Sequence, residues 1–326
     1  MKRSLLLLIC TIALSSTFFS CKKKDSPVPT TPITDTLGIG WSKVKLIDQV
    51  FKDIVFQNSN TGYLVGDNML KSIEGGNVWN LLPFQPVTPK NISITPDGKL
   101  FVVNATDTIY RSVNGGNSFA GFKTTGLGTI TDVYILDNTT GFAISGTNLQ
   151  RTTDAGVTWA AVSPITGFPS ASSAECSLFF LDAATGWLSI NGEVYKSNGS
   201  VNSWTKAIFA GTGPSLGDEI SLYATSASVV YAGCSNGRLY KSTNGGLNFS
   251  QVASFPATTN IHMDVHFVDA NTGYACFSKH IYQTSNAGVS WQSVVSMNSS
   301  EILELHFVAA NQGWACSTKG EVLKFN

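Results

Sequence analysis

From residue 37 to the C terminus, short hydrophobic segments alternate with clusters of Gly, Asn, Asp, Ser and Thr. No 3.6-residue periodicity persists, so no helix is expected in 37–326. The pattern repeats. A hydrophobic strand leads through a short turn into a Gly-aromatic pair, as in Asn60-Thr61-Gly62-Tyr63, Thr139-Thr140-Gly141-Phe142, Ala184-Thr185-Gly186-Trp187, Asn271-Thr272-Gly273-Tyr274 and Asn311-Gln312-Gly313-Trp314. A second strand comes next, such as Glu193-Val-Tyr-Lys or Arg238-Leu-Tyr-Lys, and then an eight-residue turn ending in an aromatic residue. Each period therefore predicts about four short strands joined by turns. A single such sheet cannot bury both faces, so the units must stack around an axis as propeller blades.

The eight-residue turn reads Ser/Thr, x, Asp/Asn/Glu, x, Gly, x, x, aromatic. Its copies carry Ser72, Glu74, Gly76 and Trp79; Ser112, Asn114, Gly116 and Phe119; Thr152, Asp154, Gly156 and Trp159; Ser242, Asn244, Gly246 and Phe249; and Thr284, Asn286, Gly288 and Trp291. A further copy, Ser197 to Trp204, is degenerate and lacks the acid and the glycine. The six aromatic residues are spaced 40, 40, 45, 45 and 42 apart. The last repeat stops at Asn326, before its turn and outer strand. Trp41-Ser-Lys-Val44 resembles the segments that close the turn elsewhere, as in Trp159-Ala-Ala-Val162 and Trp291-Gln-Ser-Val294. The N-terminal strand is thus expected to complete the C-terminal blade. That gives an all-β, seven-bladed propeller over 37–326, with no open sheet edge to invite aggregation.

The N-terminal segment has a different character. Lys2 and Arg3 precede an apolar run from Leu5 to Leu14, too short to span a bilayer and typical of a signal-peptide core. Next come Phe18-Phe19-Ser20-Cys21 and then Lys22-Lys23-Lys24-Asp25. A small residue just before a Cys at this place resembles a bacterial lipobox, with Phe18 where Leu is commoner. The run after it looks like Bacteroidota-type lipoproteins. The resemblance implies that residues 1–20 are removed and that acylated Cys21 anchors the mature chain to a lipid bilayer. The bland reading is an ordinary cleaved signal with an incidental cysteine. Residues 21–36, with Pro27, Pro29 and Pro32, are expected to form a flexible tether. The lipobox resemblance also implies a cell-envelope location, with the outer membrane as its expected site.

Composition narrows the function classes. Charged residues make up 13% and hydrophobic residues 43%, with 21 basic against 21 acidic side chains. This excludes a disordered chain and a nucleic-acid binder that works through a broad basic field. The mature chain would keep Cys176, Cys234, Cys276 and Cys316, with no Cys/His spacing for zinc. Cys276 and Cys316 hold equivalent places in successive repeats. Four buried free thiols is the preferred reading, and a Cys276–Cys316 bond is the alternative.

The eight-residue turn resembles the Asp-box, or bacterial neuraminidase repeat. The whole blade, with its Gly-aromatic pair before the turn, looks most like the photosystem II stability/assembly factor-like propellers. The family resemblance implies a role in assembling or stabilising a protein complex. The lipobox type points to a non-photosynthetic bacterium, so a photosystem role is not implied. Asp-boxes also occur in sialidases and other glycoside hydrolases, so the resemblance speaks to fold more than to activity. The box has a structural explanation of its own: its acceptor at Asp154, Asn114, Asn244 or Asn286 bonds backbone N–H groups across a turn, and its glycine permits positive φ.

Candidate chemistry is sparse. A sialidase-like site needs an arginine cluster, but Arg111 and Arg151 share a repeat slot with Lys71, Lys196, Lys241 and Lys324, which reads as a framework position with a packed stem and a solvated head. Asp137, Asp182 and Asp269 also share one slot and read as turn formers. Asp218, Glu219, Asp264, Glu301 and Glu304 are less periodic; a pair of them near the central channel is the one place for acid/base work. His266 and His306 match in adjacent repeats and read as packing residues. No catalytic residue, metal ligand or cofactor is therefore expected. The sequence points to a monomeric, non-catalytic scaffold binding an envelope protein or glycan, with a surface glycoside hydrolase or glycan-binding protein as the alternative. The least regular segments, between Ser163 and Glu175 and between Phe209 and Glu219, are the expected contact loops.

Overall fold

The computed structural model describes residues 34–46, 49–86, 88–104, 106–124, 128–162, 176–256 and 262–326. The expected signal peptide, Cys21, most of the expected tether and the contact loop expected between Ser163 and Glu175 lie outside the described residues. Seven antiparallel sheets form the blades of a β-propeller, and no helix occurs among the described residues. The innermost strands are Phe51–Phe56, Pro89–Ile94, Asp132–Ile135, Cys176–Phe180, Ile220–Ala224, Met263–Phe267 and Ile302–Ala309, for blades 1 to 7 in order. In each blade the chain then runs outward, strand beside strand.

Blade 7 is composite, as the unfinished last repeat requires. Trp41–Lys45 pairs antiparallel with Glu321–Phe325, with Trp41 opposite Phe325 and Lys43 opposite Leu323. The ring of blades is closed by this strand. Two blades carry a fifth strand that the repeat pattern does not announce. Thr36–Leu37 pairs with the outer strand of blade 6, so Thr36, placed in the tether by the sequence, is already part of a sheet. The same segment is fixed by Asp35, which accepts from Asn298 N (2.7 Å) and pairs with Lys43. Ile208–Phe209 adds in parallel to the outer strand of blade 5.

Neighbouring blades are joined by a repeated three-ring stack. The aromatic residue of the Gly-aromatic pair in one blade stacks on an inner-strand Phe of the next, and the turn aromatic of that next blade stands edge-on to the Phe. Trp314 lies 3.5 Å from Phe56 between ring centroids, at 5° between planes, while Trp79 meets Phe56 at 86°. Phe142, Phe180 and Trp204 repeat this; so do Tyr231, Phe267 and Trp291, although Tyr231 follows Val230 rather than a glycine. Tyr274, Phe307 and Trp41 do so at the closure, with Trp41 occupying the place of a turn tryptophan. Such pairs contribute about 0.5–1.5 kcal/mol beyond the area they bury.

The eight-residue turns are locally self-sufficient. The first-slot hydroxyl accepts the glycine N–H four residues on, at 2.9 Å for Ser72, 2.9 Å for Ser112, 2.8 Å for Thr152, 2.8 Å for Ser242 and 3.0 Å for Thr284. The third-slot oxygen of Asn114, Asp154, Asn244 or Asn286 accepts a backbone N–H four residues later, at 2.9–3.0 Å. Glu74 has no such bond through its side chain, and the degenerate turn uses Ser197 differently, donating to Ala184 O at 2.7 Å. The basic side chains beside the turns depart from expectation. Their heads are not simply solvated: Lys71 Nζ donates to Gly115 O (2.9 Å) and Lys241 Nζ to Ala287 O (2.7 Å), each in the next blade, while lying over Tyr63 and Tyr231. They tie blade to blade.

Candidate functional site

The seven inner strands surround a central channel of about 630 Å³. Its lining is ordered in levels, because alternate residues of a strand face the same side. At one level stand Asp53, Asn91, Asp132, Ser177, Ser221, Asp264 and Glu304, in equivalent register against the second strands. Several of these carboxylates clasp the next blade. Asp53 Oδ2 accepts from Ile92 N (2.7 Å), Asp132 Oδ2 from Leu178 N (2.8 Å) and Asp264 Oδ2 from Leu305 N (3.0 Å).

Burial pushes the Asp53 carboxyl up to about 7, against the pull of the Ile92 and Ile54 N–H groups, and the charges of Asp132 and Asp264 add to the rise. The folded value lies above the ordinary 3.8, so folding takes up a proton between those limits. The contribution of this carboxyl to stability is therefore greatest below about pH 4 and is lost as pH rises through about 7, at about 1.4 kcal/mol per pH unit at most. Asn91 fills the same slot in blade 2. The unfolding midpoint of the parent is accordingly expected to fall relative to that of Asp53→Asn between about pH 4 and pH 8. A difference that stays constant over that range would show that the carboxyl does not titrate there.

Two residues further along the strands, five blades contribute an arc of rings: Tyr134, Phe179, Tyr223, His266 and His306, with successive centroids 5.7, 5.1, 4.9 and 6.2 Å apart. Three of them also hook the next blade. Tyr134 and Tyr223 donate to Phe180 O and Phe267 O at 2.8 and 2.7 Å, and His306 Nε2 lies 3.0 Å from Phe56 O, which requires the proton on Nε2. Burial pushes His266 down to about 3 and His306 down to about 4, so both are neutral rings at physiological pH. The matched histidines are packing and hydrogen-bonding residues, as their repetition implies.

The less periodic carboxylates Glu219, Asp264 and Glu304 do line the channel, as expected, but the sequence reading did not connect them with His262. His262, on the approach to the blade 6 inner strand, has Nδ1 2.7 Å from Glu219 Oε1 of blade 5 and Nε2 3.0 Å from Glu304 Oε1 of blade 7. The second approach is near enough for an ion pair but off the line of a good hydrogen bond, and Nε2 is otherwise buried without a hydrogen-bond partner. Burial opposes protonation of His262, yet Glu304 and Glu219 outweigh it and hold the imidazole pKa well above its usual value. Burial and the nearby Asp264 push Glu304 well up. Glu219 goes down: His262 and Lys90 overcome its burial. Glu219 and His262 each stand two residues before the carboxylate-level position of their blades. Aligning the inner strands on that level, rather than on the turns, would have brought them together.

The other candidates have local roles. Asp137, Asp182 and Asp269 each accept two backbone N–H groups at 2.7–2.8 Å within their own turns. Asp218 accepts from Ser215 N and Asn236 Nδ2, both at 2.7 Å, so much of the 209–219 segment is fixed rather than free, and it delivers Glu219 to the channel. Glu301 N donates to Thr318 Oγ1 at 3.1 Å. Arg111 and Arg151 lie in different blades and form no cluster with Arg238, whose Nη1 donates to Thr212 O at 3.3 Å. Among the described residues, Cys176, Cys234, Cys276 and Cys316 are buried and form no disulfide, and Cys276 Sγ approaches Leu303 O at 3.4 Å.

No family model matches this chain, and no curated protein matches it. Solved structures do. YCF48 from Cyanidioschyzon merolae is 19% identical, with 88% of this chain and 98% of that one covered at a TM-score of 0.69. A structure of YCF48 bound to D1 peptide is 16% identical over 91% and 99% of the two chains, also at 0.69. The GH74 enzyme of Niastella koreensis is 12% identical over 86% of this chain but 43% of that one, at 0.60. Identities of this size establish the shared propeller fold and nothing finer.

Proposed function

We propose that this chain is a non-catalytic, lipid-anchored propeller of the cell envelope that holds an extended segment of a partner protein at its central channel, in an assembly or stabilising role. The observation that carries this reading is the channel itself. Its 630 Å³ lies in the range of ordinary ligand sites, and its walls combine an aromatic arc with groups of both charges, Lys52 and Lys90 against Glu219. Rings supply contact area at low entropic cost, and the charges fix orientation. The YCF48 structure with D1 peptide supports peptide binding as a use of this fold.

Pull-down from detergent-solubilised envelope tests it: one stoichiometric partner is expected. Phe179 is the arc residue to change, because its ring makes no hydrogen bond that holds the blades. Phe179→Ala is expected to weaken partner capture at least tenfold, as aromatic anchors do. Capture at full strength by this variant would remove the channel from the proposal. The anchoring part is tested separately. Cys21→Ser should move the protein from the membrane fraction to the soluble one, and intact-mass measurement of the parent should show acyl chains. A parent that is soluble and unacylated ends that part.

The second reading is a glycoside hydrolase or glycan-binding protein, favoured by the two glutamates that flank one imidazole. A broad glycan panel discriminates: turnover would end the scaffold reading, and binding without turnover would replace the protein partner with a glycan.

A further inference from the structure

We propose that the channel binds one divalent first-row transition-metal ion through His262 Nε2 and the carboxylates of Glu304 and Asp264, with Glu219 holding the imidazole from behind. This goes beyond the scaffold reading and stands or falls apart from it.

Geometry comes first. One donor atom from each of the three residues lies within 4.8 Å of the others. Two ligands about 2.1 Å from an ion stand about 3.0 Å apart at a right angle and about 3.4 Å apart in a tetrahedron. The 3.0 Å between His262 Nε2 and Glu304 Oε1 is already such an edge. Nε2 is withdrawn from solvent and has no aligned hydrogen-bond partner, although it is aimed at a carboxylate. In the metal-free protein this nitrogen carries a proton that faces Glu304, and an ion entering between the two takes the place of that proton.

The supporting shell has the form that metal sites use. A ligating histidine ordinarily gives its other ring N–H to a carboxylate, which fixes the tautomer and the ring plane. Glu219 Oε1 stands 2.7 Å from Nδ1 and fills that role. Asp264 is oriented by Val265 N (2.8 Å) and Ser221 Oγ (3.0 Å) on Oδ1 and by Leu305 N (3.0 Å) on Oδ2, which keeps a second lone pair for an ion. The four residues come from blades 5, 6 and 7, so the spacing is set by packed sheets rather than by one loop. All four also line the channel, which leaves the remaining coordination positions facing the cavity.

The donor set selects the ion. One imidazole nitrogen with two carboxylates suits manganese, iron or zinc better than calcium or magnesium, which favour oxygen alone. Binding replaces the Nε2 proton, which is released to solvent.

The test uses the tag-free full chain, stripped with a chelator and titrated with Mn²⁺ while the free-ion EPR signal is followed. Mn²⁺ is chosen because it avoids the buried thiols. One Mn²⁺ per chain is expected, displaced by lower concentrations of Zn²⁺ as the order of stabilities requires. Glu304→Gln, nearly isosteric, and His262→Gln should each weaken Mn²⁺ binding by about 100-fold or more, and Glu219→Gln by about 10–100-fold. Circular dichroism checks that each variant is folded. Mn²⁺ should also raise the unfolding midpoint of the parent and leave that of Glu304→Gln unmoved. Absence of saturable Mn²⁺ and Zn²⁺ binding by the folded parent would overturn the proposal, as would full-strength binding by folded Glu304→Gln.

Discussion

Trp41→Ala is expected to lower the stability of the propeller by about 3–5 kcal/mol, the usual cost of emptying a buried tryptophan site. The residue is 7% exposed and lies in a core shared by Tyr274, Val295, Met297, Ile302, Leu305 and Leu323. Its ring meets Phe325 at 5.2 Å, Tyr274 at 6.1 Å and Phe307 at 6.4 Å, so it touches both blade 6 and blade 7. The effect should be more than a loss of stability. Trp41 is the main apolar anchor of the strand that closes the ring, and a weakened closure exposes the edge of Glu321–Phe325. Hydrogen exchange should therefore rise selectively in Glu321–Phe325 and Trp41–Lys45, ahead of the inner strands of blades 2 to 4. Uniform exchange, or a loss below about 1 kcal/mol, would mean that closure does not depend on this ring.

The second large effect concerns a glycine. Gly246 has φ +85°, and a Cβ there would lie 2.3 Å from Trp187 Nε1 and 2.6 Å from Cδ1. Trp187 is fully buried and held by its bond to Gly245 O at 2.9 Å, so it cannot retreat. Gly246→Ala thus combines backbone strain of about 1–2 kcal/mol with overpacking of about 1–3 kcal/mol. Gly199 separates the two terms. It has φ +74° with nothing within 4 Å of its Cβ position. Gly199→Ala is expected to cost the strain alone, so urea denaturation should show Gly246→Ala less stable than Gly199→Ala by about 1–3 kcal/mol. Equal losses would leave no role for the Trp187 contact.

These two sites also mark what the chain discloses in advance and what it conceals. The turn glycine and the aromatic residue that presses on it recur at fixed intervals, so both were legible as repeat positions. Trp41 was legible because Trp41-Ser-Lys-Val44 copies the segment after each turn. The short added strands were not: Thr36–Leu37 and Ile208–Phe209 have two residues each, too few for an alternating pattern. The reach of Lys71 and Lys241 into the next blade escaped notice because a repeated lysine reads as a solvated one. Glu219 and Glu304 stood out as aperiodic carboxylates, but their grouping around His262 was hidden for a topological reason. Its members are far apart in sequence and come together only because the ring curvature points three strand entries at one axis.

The composite blade has a bearing on how the protein is made. The closing strand Trp41–Lys45 waits for a partner, Glu321–Phe325, that is translated only after blades 1 to 6. Six blades can assemble in order as the polypeptide emerges, but the circle stays broken until Glu321–Phe325 has been made. During that interval the strand bearing Trp41 has no sheet to join, and its apolar ring is available to wrong neighbours. Shielding this one strand by a chaperone, through whatever interval separates the first blade from the last, would protect the molecule at the step where a circular fold is most open to error.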